Sequence, residues 1–249
     1  MRCPKCDFEQ PEGSPECARC GVIFRKARPG NLPPVSSSGH HAAAGEEEPG
    51  AGHVIRELLF GSHQEVNPFY FAGRVLVFIG LVILGIQYIL AGWQSNYPAG
   101  TFLHGVNLAF HEAGHLLFRP FGRFMTVLGG SLGQLLMPLI CMAVFLIKSR
   151  DPFGASVAFW WLGQSFLDLA PYIGDARALR LILLGGITGR DAVDYHDWEF
   201  LLKQLGLLQW DRTLAFLAHG FGSLCILSAM LWGAYLLFNQ YKHMRGSAQ

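Results

Sequence analysis

Charged residues are scarce in this sequence, and their signs almost cancel. Asp, Glu, Lys and Arg together make up 15% of the 249 residues, and the formal net charge is +1. Soluble domains contain about 25% charged residues, so the composition argues against an ordinary soluble domain. The near-zero net charge also gives no electrostatic basis for binding a polyanion, and we expect no nucleic-acid partner.

Apolar residues are abundant instead. They make up 51% of the chain, including 19 phenylalanines. A helix needs about 20 mostly apolar residues to cross a bilayer. Five stretches are candidates, at 74–93, 101–118, 125–147, 153–173 and 213–238. The sequence therefore predicts an all-α polytopic membrane protein with about five spans, surrounded by a lipid bilayer.

The glycines at 129, 130 and 133 mark a possible exception to this simple topology. Basic residues follow the third, fourth and fifth stretches, and strict alternation would place some of them outside, against the positive-inside rule. Non-helical backbone is tolerated at membrane depth where it lines a cavity. Residues 124–133 are therefore the best candidate for a re-entrant segment.

Four of the six cysteines lie within the first 20 residues, as two C-x-x-C pairs formed by Cys3, Cys6, Cys17 and Cys20. This spacing is typical of a zinc ribbon, and residues 1–26 are predicted to form one. A site closed by four thiolates is structural, so such a module would serve to bind a partner. The alternatives for the same four cysteines are an iron site or two disulfides. Thiolates need a reducing compartment, which favours a cytoplasmic N-terminus.

Two further segments follow the predicted ribbon. Residues 27–52 are rich in Pro, Gly, Ser and Ala, and we interpret them as a flexible linker. Residues 53–249 form the predicted membrane domain. Several arginines precede its first span, whereas the loop at 94–100 has no Lys or Arg. Both observations agree with a cytoplasmic N-terminus.

The second apolar stretch contains the motif His111-Glu112-Ala-Gly-His115. On a helix, His111 and His115 lie one turn apart on the same face and can bind one metal ion. Glu112 can then take a proton from a water bound to that metal, the arrangement found in H-E-x-x-H hydrolases. Ionisable residues are costly inside a membrane and are usually functional there. His104 and Asn107 extend the polar face. His104 could belong to a proton path, to a water-lined access route or to a helix–helix hydrogen bond, and we favour the last.

A catalytic metal needs a third protein ligand, and the fourth apolar stretch contains the candidates. Asp168 lies within this stretch, and Asp175 follows Pro171, which is expected to kink or end the helix. Asp175 could instead cap the helix or pair with Arg177. His196, in a polar loop, is a weaker candidate.

These motifs together resemble the site-2-protease family of intramembrane zinc metalloproteases. The segment Asp168-Leu-Ala-Pro-Tyr-Ile-Gly-Asp175-Ala-Arg is similar to the family's Asn-x-x-Pro-x-x-x-Leu-Asp-Gly. It has Asp168 in place of the asparagine, one residue fewer before Asp175, and no glycine after it. The resemblance covers roughly residues 74–187. It implies zinc held by His111, His115 and Asp175, with Glu112 as the catalytic base; the N-terminal ribbon is an addition to the family core.

The predicted function is that of a zinc-dependent peptidase in the cytoplasmic membrane of a prokaryote. Its substrates would be membrane proteins or peptides, and its ribbon could bind a cytoplasmic protein. Two zinc ions are expected, one structural and one catalytic. The alternative is a non-catalytic membrane scaffold or metal-responsive regulator that uses the ribbon to bind its partners.

Overall fold

A computed structural model of the chain describes residues 1–3, 8–11, 13–19, 24, 51–61 and 67–246. The chain divides into two compact units, Met1–Glu48 and Pro49–Gln249. This division places the boundary inside the predicted linker, most of which lies outside the described residues.

In the first unit, Cys3 and Cys17 are buried, with 0% and 2% of their surface exposed. The backbone N–H of Cys3 donates to the carbonyl oxygen of Phe8 at 3.0 Å. Cys6 and Cys20 lie outside the described residues. The four-cysteine zinc ribbon therefore stays a prediction.

The second unit is helical. Its helices are α1 (Ala51–Phe60), α2 (Pro68–Ala91), α3 (Phe102–Phe118), α4 (Arg123–Ile147), α5 (Pro152–Gly174), α6 (Asp197–Gln204) and α7 (Asp211–Gly246). Within the described residues the only β-type pairs are isolated bridges, such as the one between Ile182 and Thr188. The all-α prediction is confirmed for this part of the chain.

Among the residues that the structure describes, three helices are long and apolar enough to cross a membrane: Pro68–Ala91, Arg123–Ile147 and Leu208–Gly246. They correspond to the first, third and fifth predicted spans. The other two predicted spans are also helical, but α3 has 17 residues and α5 has buried polar residues, including Gln164 and Asp168. Most of α5 is buried against its neighbours, and a count of five spans stays a prediction.

Residues 124–133 are not a re-entrant turn, because α4 runs unbroken through them. Their glycines instead allow α3 and α4 to approach closely. A Cβ added to Gly133 would lie 2.8 Å from the Cα of Gly114 on α3, and a Cβ added to Gly114 would collide with the carbonyl oxygen of Gly129. Close backbone contact through small residues is a common way for membrane helices to pack.

The central position of α5 depends on a similar contact with α7. A Cβ added to Gly163 would lie 2.7 Å from the carbonyl oxygen of Gly222, and one added to Gly222 would lie 2.6 Å from that of Gly163. The loop after α5 folds on itself through the Ile182–Thr188 bridge and then leads into α6. This return brings the start of α6 to the face of α3 that contains the histidines.

Candidate metal centre

His111, His115 and Asp197 form a group that could hold a metal ion. Their candidate ligand atoms all lie within 4.8 Å of one another. Oδ2 of Asp197 is 2.9 Å from Nε2 of His111 and 3.3 Å from Nε2 of His115. Two imidazoles and a carboxylate, with a position left open, are a donor set that zinc adopts in hydrolases.

The two histidines share one face of α3, as their spacing predicts. Their ring centroids are 4.8 Å apart. His111 is buried, and His115 is half-buried. Both side chains belong to a group that could hold a metal ion, and metal binding itself stays a prediction.

The outer ring nitrogens of both histidines face oxygen atoms. Nδ1 of His115 lies 2.8 Å from the carbonyl oxygen of Thr126, and Nδ1 of His111 lies 3.4 Å from Oε1 of Gln134. Carbonyl oxygens only accept, so each Nδ1 carries the hydrogen. In the neutral form each Nε2 then presents a lone pair toward the carboxylate of Asp197. A cation between these groups relieves the repulsion, and the residues therefore fit a metal ion.

Space for the ion is kept open by Gly130 on α4. A Cβ added to Gly130 would lie 2.5 Å from Nε2 of His111 and 2.6 Å from Nε2 of His115. Any side chain at this position would enter the space between the imidazoles. Gly130 therefore contributes to the site because it has no side chain.

Asp197 is held in place by the end of α5 and the start of α6. Its backbone N–H donates to the hydroxyl oxygen of Tyr172 at 2.9 Å, and the buried ring of His196 lies 4.3 Å from the Tyr172 ring. Burial opposes ionisation of Asp197. When Nε2 of His111 and of His115 carries a hydrogen in place of a metal ion, both donate to this carboxylate, and these hydrogen bonds outweigh the burial and lower the pKa of Asp197 to about 2. Asp197 is therefore an anion, as a metal ligand must be.

Asp175, the predicted third ligand, lies elsewhere. Its carboxylate accepts from the backbone N–H groups of Arg180 and Leu181 at 2.8 and 2.9 Å. Burial raises the pKa of Asp175. His196, whose Nε2 lies 3.6 Å from Oδ2 of Asp175, and the two N–H donors have a larger, opposite effect, so the pKa of this carboxyl is lowered overall. Asp175 binds backbone N–H groups of the loop after α5, and Arg177 pairs with Asp211 instead. Asp197 lies beside the histidines, where Asp175 was predicted to lie.

The other two candidate ligands also have different contacts. His196 caps α6, where its Nδ1 accepts from the backbone N–H of Glu199 at 3.2 Å. Asp168 faces α3 and α4 from the middle of α5. Its Oδ2 accepts from the side-chain amides of Asn107 and Gln134, at 2.9 and 3.1 Å.

Oδ1 of Asp168 lies 2.8 Å from Nδ1 of His104, which confirms the helix–helix hydrogen bond predicted for that histidine. Gln134 connects this cluster to the metal group, since its amide nitrogen donates to Asp168 while its oxygen faces His111. Asp168 is therefore one side chain removed from a candidate ligand.

A cavity of about 630 Å³ adjoins the group. Its lining includes His111, Glu112, His115 and Asp197, with His104 and Asp168 in another part of the wall. Glu112 is exposed. It is next to His111 in the chain and lines the same cavity as the candidate ligands.

Asp197 is the candidate ligand that the sequence did not predict. It is separated from His115 by α4 and α5, so no local spacing relates the two. Its signal was weak: an acidic residue at the start of a short amphipathic segment, which also fits an ordinary helix N-terminus.

The fold and the site define a helical protein with apolar helices of membrane-spanning length and a candidate His-His-Asp metal centre beside a cavity. No protein-family model matches the sequence, and the comparisons with curated proteins and with solved structures gave no match.

Proposed function

We propose that this chain is a zinc-dependent intramembrane peptidase that hydrolyses peptide bonds of membrane-protein substrates. The observation that carries the proposal is the position of Glu112. It follows His111 directly and lines the same cavity as the group formed by His111, His115 and Asp197. A base beside a three-ligand zinc site is the arrangement of metal-dependent hydrolases.

Each side chain has a definite task in this mechanism. His111, His115 and Asp197 hold zinc, which when bound supplies the Lewis acidity for attack by water on a peptide carbonyl. Glu112 accepts the proton of that water and passes it to the leaving amine. The substrate strand would lie in the cavity that Glu112 lines.

The apolar helices support a substrate drawn from the membrane. The site is built on α3, which packs along α4, one of the three helices of spanning length. A helical substrate would have to unwind to place a peptide bond in the cavity. In this proposal the chain lies in the cytoplasmic membrane of a prokaryote with its N-terminus in the cytoplasm, where the cysteine module binds a protein partner.

Replacement of Glu112 by glutamine tests the proposal. The variant keeps the size of the side chain but cannot accept a proton, so Glu112→Gln should lose at least a hundredfold in cleavage of unfolded β-casein in detergent. Glu199→Gln is the matched control, because Glu199 pairs with Lys203 at 2.5 Å on α6 and does not line the cavity. Equal cleavage by Glu112→Gln and the parent chain would contradict the peptidase and favour the scaffold or regulator.

A further inference from the structure

The part of the cavity formed by His104 and Asp168 has no role in the hydrolysis described above. His104 precedes His111 by seven positions on the same helix, which separates them by about 10 Å along its axis at 1.5 Å per residue. Both residues line the same cavity. A substrate bound at the metal group and continuing along α3 would therefore pass His104.

The ring of His104 is held in a defined orientation. Asp168 has 4% of its side chain exposed, and its two oxygens contact α3 and α4 through His104, Asn107 and Gln134. Both amide groups donate to Oδ2 of Asp168, which leaves Oδ1 directed at His104. This pair is thus preorganised before any substrate arrives.

Nε2 of His104 is available to bind a group in the cavity. Nδ1 contacts Asp168, and Nε2 makes no hydrogen bond with any residue in the part of the chain that the structure describes. The side chain is 36% exposed, and its neighbours in the cavity wall include Ala99 and Leu108. A polar nitrogen in such a partly apolar wall can recognise one hydrogen-bonding group.

We propose that His104, positioned by Asp168, is a specificity-determining residue that binds an uncharged hydrogen-bonding side chain of the substrate, namely Asn, Gln, Ser or Thr. An extended peptide advances about 3.3 Å per residue. The 10 Å separation therefore places this side chain about three residues from the cleaved bond. These groups can both donate and accept, so they pair with Nε2 whether or not it carries a hydrogen. The inference rests on the proposed peptidase function.

The test uses the full-length protein in detergent micelles and unfolded β-casein. Mass spectrometry identifies the bonds whose cleavage depends on Glu112, and their alignment shows on which side of the bond the preference lies. Two peptides are then made around the best-cleaved bond, with Asn or Leu at the preferred position. The parent should cleave the Asn peptide roughly tenfold to a hundredfold faster in kcat/KM, because an unpaired polar group in the site costs binding.

His104→Phe should cleave both peptides at the parent's rate for the Leu peptide, with its zinc content unchanged. His104→Gln retains an amide and should recover part of the preference. His219→Phe is the matched control, since His219 contacts the carbonyl oxygen of Ile89 away from this cavity and should keep the full preference.

Three outcomes overturn the inference, and they distinguish its failure from that of the peptidase. An equal loss on both peptides in His104→Phe, or an unchanged preference, would show that His104 supports the fold without selecting substrate. Absence of any cleavage that depends on Glu112 would overturn the peptidase itself, and the recognition site with it.

Discussion

At the scale of single residues, the candidate metal centre depends on an absent side chain. Gly130 faces the space between the Nε2 atoms of His111 and His115, and an added Cβ would lie 2.5 and 2.6 Å from them. Gly130→Ala should therefore reduce zinc binding at this site severely. Gly80→Ala is the control, because a Cβ at Gly80 on α2 meets nothing within 4 Å. Full zinc content in Gly130→Ala, measured by metal analysis, would argue against the proposed ion position.

Gln134 is a second residue whose effect can be isolated. Its amide joins Asp168 to the outer nitrogen of His111 and so orients that ring. Gln134→Leu should weaken zinc binding by roughly 10- to 100-fold, the usual effect of losing the partner of a metal ligand. Competition with a chelator measures the affinity. Gln240→Leu removes another buried amide, on α7, and should leave it unchanged.

At the scale of elements, the loop between α5 and α6 decides where Asp197 lies. Asp175 anchors the start of this loop through the backbone N–H groups of Arg180 and Leu181. Asp175→Asn should lower the free energy of unfolding by about 1–3 kcal/mol, since hydrogen bonds to a charged acceptor are lost. Asp191→Asn, at an exposed carboxylate of the same loop, should cost less.

The stabilisation by Asp175 should also depend on pH. The pKa of this carboxyl is lower in the folded protein than its ordinary value of about 3.9. Its contribution is therefore complete above about pH 5 and is lost as the pH falls through the folded-state pKa. The difference in melting temperature between parent and Asp175→Asn should shrink below about pH 4. A difference that stays constant down to pH 2 would contradict this role.

At the scale of the whole molecule, the two predicted zinc sites belong to separate compact units. The purified full-length chain should bind two zinc ions, and each site should be lost independently. His111→Ala with His115→Ala should leave one ion at the cysteines, and Cys3→Ser with Cys17→Ser should leave one in the helical unit. Loss of both ions in either double variant would show that the two sites are not independent.

Local patterns predicted more of the fold than of the complete site. Length and apolar composition identified the helices at 68–91 and 123–147, and a spacing of four placed His111 and His115 on one face. The re-entrant segment predicted from the glycines of α4 was wrong, because close packing against α3 and a re-entrant turn both favour small residues. The sequence shows where glycines occur but not what approaches them.

The sequence by itself determined the helical class, the apolar helices of spanning length and the His111-Glu112-His115 arrangement, because each depends on contacts within a few residues. Only the tertiary structure decided the third member of the group. Asp175 and Asp197 are both acidic residues at the ends of helices, and the loop between them directs one to the backbone of its own turn and the other to the histidines. That choice depends on how α3, α4 and α5 pack, which no local spacing records.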